Sequence, residues 1–526
     1  MAKTAHSEES KTTPPDWSSY VEDFRRAGHQ TVDWIAQYLS TLGDNPVLAT
    51  TTPGQLFDSL PASAPDKGES FEAILRDFDQ LVMPAVTQWN HPRFFAYFAC
   101  TGSTPGILGE MLAAALNNTG LHWKASPAIA ELEQRTLDWL REWLGLPAGN
   151  AVPGADQSLA GAKDSSGSHS GNAAAGADQS HAGTKDSSGS QKNEAWFGIT
   201  YDTASTSSMH AIVAAREFVA PEARTEGARG DLTLYTSDQA HSSIEKGAIA
   251  VGIGQNNVRK VPSDSEFRMR PDALAQMVQQ DKAAGRRPFC VVATVGTTSS
   301  TSVDPVPQIV DVAEQHGLWV HVDAAYAGAA AILPEHRGIF AGVERAHSLV
   351  VNPHKWLLTP SELSAFFTRR PDILRRAFSL TPEYLKTRED PRAHNFMDYG
   401  VPLGHRFRAL KLWFVLRYFG RDRIEQMLRQ HIQWAQKLAA LLATDPAHRF
   451  EVVAPVLFSV VCFRYRGSDE QNKAIMERVN HSGRVFISGT VLNGQQVIRL
   501  AIGNLATTWE DIEEAWELLK KAADEV

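Results

Sequence analysis

Four residues in the middle of the chain invite a chemical reading before any element is assigned: His241, Thr298, Asp323 and Lys355. A lysine withdrawn from water loses some of its preference for the charged form, and its lone pair can then condense with a carbonyl. A carboxylate that must stay ionised beside an aromatic cation suits the ring nitrogen of a pyridine, as in pyridoxal phosphate. At ~3 Å and an effective dielectric of ~20, such a pair attracts by on the order of 5 kcal/mol before desolvation is counted. A phosphate would need backbone N–H groups at a helix start. Asp202-Thr203-Ala204-Ser205-Thr206-Ser207-Ser208, leading into the helical Met209–Val219, offers small residues and hydroxyls there.

These residues are far apart in sequence, so secondary structure must bring them together. Leu232–Thr236, Phe289–Val295, Leu318–Val322 and Ser348–Val351 are nearly continuous apolar runs. That pattern predicts strands buried on both faces of a mainly parallel sheet. Pro305–His316 carries Ile309, Val310, Val312 and Ala313 at helical spacing, which makes a βαβ unit with the runs on either side. Each run ends on a residue able to do chemistry. Asp238 and His241 follow the first, Thr297 and Thr298 the second, Asp323 and Ala325 the third, and Asn352-Pro353-His354-Lys355 the fourth. Ligands of parallel sheets bind outside the carboxyl ends of the strands, so these residues are expected to converge. Singly, each has an ordinary explanation as a helix cap, a turn former or a surface charge. Their order along one sheet edge favours a cofactor site.

The rest of the chain sets the frame. Among 526 residues, 60 acidic and 51 basic side chains give a net charge of −9, which argues against a nucleic-acid binder. Three dispersed cysteines, Cys100, Cys290 and Cys462, exclude a disulfide framework and a cysteine zinc site; no metal is expected. The chain starts without an apolar leader and has no run long enough to span a membrane, so a cytoplasmic location is expected. Asp16 is a helix cap for a stretch with apolar residues at Trp17, Val21, Phe24, Gly28, Val32, Ile35 and Leu39. That face must bury itself against the body or a second subunit. Residues 147–194 lack aromatics, and Gly154–Ser168 recurs as Gly176–Ser190 with 13 of 15 positions identical. With no apolar stripe in the repeat, this is expected to be a flexible surface insertion. From about residue 405 the chain turns helical (Ala409–Phe419, Arg423–Ala443) and closes with an amphipathic helix, Thr508–Ala523.

Several motifs point to a family. Asn352-Pro353-His354-Lys355-Trp356 and His321-Val322-Asp323-Ala324-Ala325-Tyr326-Ala327-Gly328 resemble the group II pyridoxal-phosphate decarboxylases, most closely those acting on aromatic L-amino acids. His91–Phe98, Ala125–Ala128 and Pro402–Arg408 are similar to the same family, and the likeness runs from about residue 17 to 520. The resemblance implies a fold-type I α/β enzyme with a mainly parallel central sheet. It divides the chain into a helical dimer-swapping segment at 1–103, a large cofactor-binding domain at 104–404 and a small α+β domain at 405–526. Lys355 would carry the cofactor and Asp323 would pair with its ring nitrogen. His241 and Ala325 would flank the ring, Ala204 and Ser205 would hold the phosphate with Asn352 and His354 nearby, and Thr298 would lie near the ring substituents. Tyr384 would return a proton to Cα from a mobile loop at 379–398. Trp89, Tyr97, Phe98 and Cys100 would line the substrate pocket, with Thr119 and Leu121 supplied by the neighbouring subunit of a homodimer.

The expected reaction is decarboxylation of an aromatic L-amino acid to amine and CO2. Relatives with phenylalanine at the loop tyrosine give aldehydes instead, so Tyr384 and His241 favour the amine over an oxidative aldehyde synthase. Intact Lys355, Asp323, His241 and Tyr384 argue against a catalytically silent fold. The chain also departs from the family. Ala99 and Cys100 stand where the animal enzymes have proline and threonine, and Thr119 and Leu121 replace an isoleucine and a phenylalanine. Asp202 replaces a glycine, and Pro360-Ser361-Glu362-Leu363 differs from the usual Asn-Phe-Asp-Cys.

Overall fold

The structure, a computed structural model, describes residues 16–98, 100–148, 196–380 and 393–526. Tyr384, Ala99 and the repeats of the insertion lie outside the described residues.

Helix α1 (Trp17–Ser40) begins where the cap signal placed it, with the Asp16 carboxylate accepting the Ser18 N–H at 3.2 Å. None of its residues is buried against the described residues. Among the described residues the first half of its apolar stripe, Trp17, Val21 and Phe24, is exposed, whereas Ile35 and Leu39 are half-buried and Trp34 packs edge-on against Phe78.

Seven strands form the central sheet: β1 (Phe197–Tyr201), β2 (Leu232–Ser237), β3 (Val258–Val261), β4 (Arg287–Thr294), β5 (Trp319–Asp323), β6 (Ser348–Val351) and β7 (Ser364–Thr368). Their order is β1-β7-β6-β5-β4-β2-β3. All run parallel except β7, which lies antiparallel between β1 and β6. The four apolar runs became β2, β4, β5 and β6, the last with its ends unchanged and the others shifted by at most two residues. Every residue of β2 and of β5 is buried. Successive side chains of a strand point to opposite faces, so each buried strand feeds two cores. Val291 and Ala293 of β4 pack with α4 (Val306–His316), while Cys290 and Val292 pack with α2 (Ala204–Val219) on the other face. The edge strands β1 and β3, and β7 between β1 and β6, are additional to the strands the apolar runs predicted.

The carboxy-terminal part is α+β, as expected. Helix α5 (Arg408–Ala443) merges the two predicted helices across Gly420, whose φ of +66° breaks the helical path. Beyond it lie β8 (Phe450–Val452), β9 (Val460–Tyr465), β10 (Ser488–Leu492) and β11 (Gln495–Ala501), an antiparallel sheet of order β8-β9-β11-β10. Helix α6 (Trp509–Asp524) covers it through Ile512, Ala515, Trp516 and Leu519. Among the described residues, no helix is long and apolar enough to cross a membrane, and the three cysteines are unpaired.

Candidate active site

The carboxyl ends of β2, β4, β5 and β6 open onto one cavity of about 200 Å3. Lys355 reaches it from a single helical turn, Pro353–Trp356, that follows β6 and starts at Asn352. Its Nζ lies 5.1 Å from the centre of the Phe98 ring. Burial pushes the Lys355 ammonium below its usual range, and the Asp323 charge pulls it partly back. Asp323 is the last residue of β5 and is 6% exposed; its Oδ1 accepts the Ala325 N–H at 3.1 Å. The Asn352 N–H donates to the Ala325 carbonyl at 3.0 Å, which locks the ends of β5 and β6 together.

His241 heads helix α3 (Ser242–Ala250), and its Nδ1 accepts the Ser243 N–H at 3.2 Å. That bond leaves Nε2 as the protonated nitrogen of the neutral ring. Burial lowers the proton affinity of His241, Asp323 opposes this and Lys355 adds to it. Ala204 and Ser205 open α2, where the Thr203 hydroxyl accepts the Thr206 N–H at 3.4 Å. Two buried hydroxyl contacts tie this helix start to the sheet: Ser207 to Ser364 at 2.8 Å and Ser208 to His321 Nε2 at 3.1 Å. Thr298 lines the cavity two residues beyond Gly296, whose φ is +89°. A Cβ at Gly296 would sit 2.4 Å from that of Ala327, so this turn needs glycine twice over.

All the residues expected to touch the cofactor, from Ala204, Ser205 and His241 through Thr298, Asp323, Ala325 and Asn352 to His354 and Lys355, line this cavity. The expected substrate residues divide. Phe98 lines the cavity, and Cys100 is close enough to Lys355 for that charge to oppose the rise burial imposes on its thiol. Trp89 and Tyr97 lie outside the cavity lining and stack on each other, with centroids 5.7 Å apart, in a cluster with Phe94 and Phe486. Thr119 and Leu121 also lie outside it; Thr119 pairs with Arg406, and the Leu121 carbonyl accepts the Met397 N–H at 3.1 Å.

Arg499 is the buried charge beside the cavity that motif reading missed. This β11 residue is 4% exposed, and its guanidinium carbon lies 4.4 Å from the centre of the Phe98 ring. It donates to the Tyr97 carbonyl and, at 3.1 Å, to the Ser299 carbonyl. Its Nη2 finds no partner among the described residues. One arginine inside Val497-Ile498-Arg499-Leu500-Ala501 was the available signal, because an isolated charge in an apolar strand must serve something.

The site fits pyridoxal phosphate. A helix start with free N–H groups and hydroxyls, a buried carboxylate, a lysine of lowered proton affinity and an imidazole share one small cavity. The buried Asn352 Oδ1 has no partner among the described residues, as expected of an atom that awaits a ligand. Fold and site together define a pyridoxal-phosphate enzyme of the large-domain, small-domain type.

Comparison with known proteins narrows the class. The pyridoxal-dependent decarboxylase conserved domain matches residues 53–170 and 186–466, and the chain belongs to this family. It is 38% identical to tyrosine decarboxylase 4 of Petroselinum crispum over 520 residues, covering 96% of this chain and 94% of the relative. It is 38% identical to the aromatic-L-amino-acid decarboxylase of Sus scrofa, covering 96% and 97%. Its fold superposes on the crystal structure of Oryza sativa TDC with PLP and tryptamine with a TM-score of 0.85, at 33% identity, covering 98% of this chain and 99% of that one.

Proposed function

We propose that this enzyme removes the carboxyl group of an aromatic L-amino acid, releasing the amine and CO2. The observation that carries this is the convergence of Lys355, Asp323, His241 and the start of α2 on one cavity beneath the aromatic wall of Phe98. Bound pyridoxal phosphate supplies an electron sink for the pair left on Cα when CO2 departs. Lys355 would hold the cofactor through its amine, whose proton affinity burial lowers. Asp323 would keep the ring nitrogen protonated. Ala204, Ser205 and the neighbouring Asn352 and His354 would hold the phosphate, where the α2 N–H groups face an anion. His241 and Ala325 would flank the ring. The unpartnered Nη2 of Arg499 would take a substrate carboxylate, while Phe98 orients the aromatic side chain. Tyr384 would return the proton to Cα.

We also read the active form as a homodimer. Trp17, Tyr20 and Phe24 of α1 are 73%, 55% and 61% exposed, an apolar stripe that a second copy would cover. Thr119 and Leu121 would then face the partner's cavity, consistent with their absence from the lining of their own. The same reading keeps the divisions at residues 103 and 404 as domain boundaries, and the protein in the cytoplasm.

Among the relatives is the phenylacetaldehyde synthase of Arabidopsis thaliana, 37% identical over 513 residues, so the product must be measured directly. Tryptophan, tyrosine, phenylalanine and dihydroxyphenylalanine should each be assayed for CO2, amine, ammonia and peroxide. Amine with neither ammonia nor peroxide is expected from the native enzyme, and Tyr384→Phe should divert product to aldehyde. Ammonia and peroxide from the native enzyme would transfer the assignment to an aldehyde synthase. Unchanged amine output from Tyr384→Phe would remove Tyr384 from the reaction.

A further inference from the structure

The turn that carries Lys355 is four residues long and has little backbone holding it. Lys355 N–H donates to Asn352 at 3.0 Å and Leu357 N–H to Pro353 at 3.1 Å. So short a helix takes its orientation from the side chains on either side of the lysine. On one side, His354 Nδ1 accepts the Leu363 N–H at 2.9 Å. On the other is Trp356, fully buried.

The Trp356 ring stacks on Tyr326 with centroids 4.8 Å apart and planes 12° apart. Tyr326 in turn stacks on Phe98 at 4.0 Å, and Phe98 is the ring beside Lys355 Nζ. Stacking fixes the plane of an indole but lets it turn and slide within that plane. A directional bond is needed to stop that motion. Trp356 Nε1–H supplies it, donating to His431 Nδ1 at 3.0 Å. His431 is 2% exposed, on α5. Burial pushes its proton affinity down to about 4, with the Asn504 backbone opposing, so the ring is neutral and Nδ1 stays an acceptor. Asn504 follows the strand that carries Arg499, and its Nδ2 donates to the His91 carbonyl at 3.0 Å.

We propose that His431 is a positioning residue for the decarboxylation: by accepting the Trp356 indole N–H, it sets the rotation of the lysine-bearing turn and of the aromatic stack above it. The inference rests on the cofactor role given to Lys355 above. His431 touches neither cofactor nor substrate; it acts through Trp356. It also links the turn to the segment after β11, so the cofactor's lysine and Arg499 are held in one frame.

Three variants test this in the holoenzyme: His431→Leu removes the acceptor, Trp356→Phe removes the donor and keeps a ring, and His431→Asn restores an acceptor oxygen near the Nδ1 position. Measurements are kcat, KM and the visible circular dichroism of the bound cofactor, which reports its orientation, beside the melting temperature of the apoprotein. The first two variants are expected to lower kcat by about tenfold to a hundredfold, the scale of a small misplacement, with KM near native and an altered dichroic band. His431→Asn should recover most of both. The double variant His431→Leu/Trp356→Phe should be no worse than the poorer single one, because the bond is lost only once. Native kcat and a native band in Trp356→Phe would overturn the proposal, as would additive losses in the double variant. So would losses in His431→Asn as deep as those in His431→Leu. Should His431→Leu fail to fold, Trp356→Phe and His431→Asn decide alone. Failure of the Lys355 assignment is distinguishable, because it would appear as a cofactor band that survives Lys355→Ala.

Discussion

The carboxyl edge of the central sheet and the amino-terminal helix make opposite demands on their surroundings. At the sheet edge, Asp323 and His354 are buried, and they and His241 have hydrogen-bond partners within the chain. Along the first half of α1, Trp17, Tyr20 and Phe24 face outward, while Trp34 and Tyr38 near its end are half-buried against Phe78 and Gln88. The first region brings its expected cofactor residues together on one cavity within one chain. The second leaves Trp17, Tyr20 and Phe24 exposed among the described residues. The contrast extends into the proposed substrate pocket: Phe98 meets the floor directly, whereas Thr119 on a short ladder and Leu121 just after it lie outside the cavity lining.

The contrast can be broken or sharpened by experiment. The largest effect belongs to the floor. Lys355→Ala should cut turnover by roughly three orders of magnitude or more and abolish the yellow lysine-bound cofactor band; an active, yellow variant would refute the assignment. The next belongs to the amino-terminal surface. Trp17→Asp/Phe24→Asp should shift sedimentation from dimer to monomer and remove most activity at low protein concentration. A variant that stays dimeric and active would show that α1 covers itself in some other way.

A smaller effect follows from the buried histidines. Burial pushes His91, His210, His321, His347, His354 and His431 each down to about 4. The unfolded chain takes up these protons near pH 6.5 and the folded chain does not until about 4, so the unfolded state binds more protons between those values. Stability is therefore full above about pH 6.5 and is lost as pH falls toward about 4. The apoprotein's melting temperature should drop by several degrees between pH 7.5 and 5; a flat profile would show that these rings are protonated in the fold. The smallest effect is expected from deleting residues 154–190, which should leave kcat and the melting temperature nearly native. Loss of folding on that deletion would give the repeat a structural role.

Much of the floor was legible before any coordinates, because its signals are local. A buried parallel strand must be continuously apolar, and the residue that ends it must leave the sheet at the ligand edge. Runs such as Leu318–Val322 therefore announced both β5 and the position of Asp323. The Asp16 cap and the three- and four-residue steps after it announced α1 in the same way. Strands β1 and β7 were harder to read. Residues such as Gly198 and Thr200 break up β1, and its place at the sheet edge depends on an antiparallel pairing with a segment more than 160 residues later.

Arg499 marks the boundary more sharply. Its sequence signal is one charge in an apolar strand, and only the packing of β11 against Tyr97 and Ser299 turns it into part of the site. The outward stacking of Trp89 on Tyr97 likewise follows from contacts with Phe94 and Phe486, a residue some four hundred positions away. Periodicity, caps and strand-end chemistry act over a few residues, so the sequence alone determined them. Which distant side chains share a buried space is a property of chain crossings, and the tertiary structure alone decided that Phe98 and Arg499 lie near Lys355 and that His431 meets its neighbour Trp356.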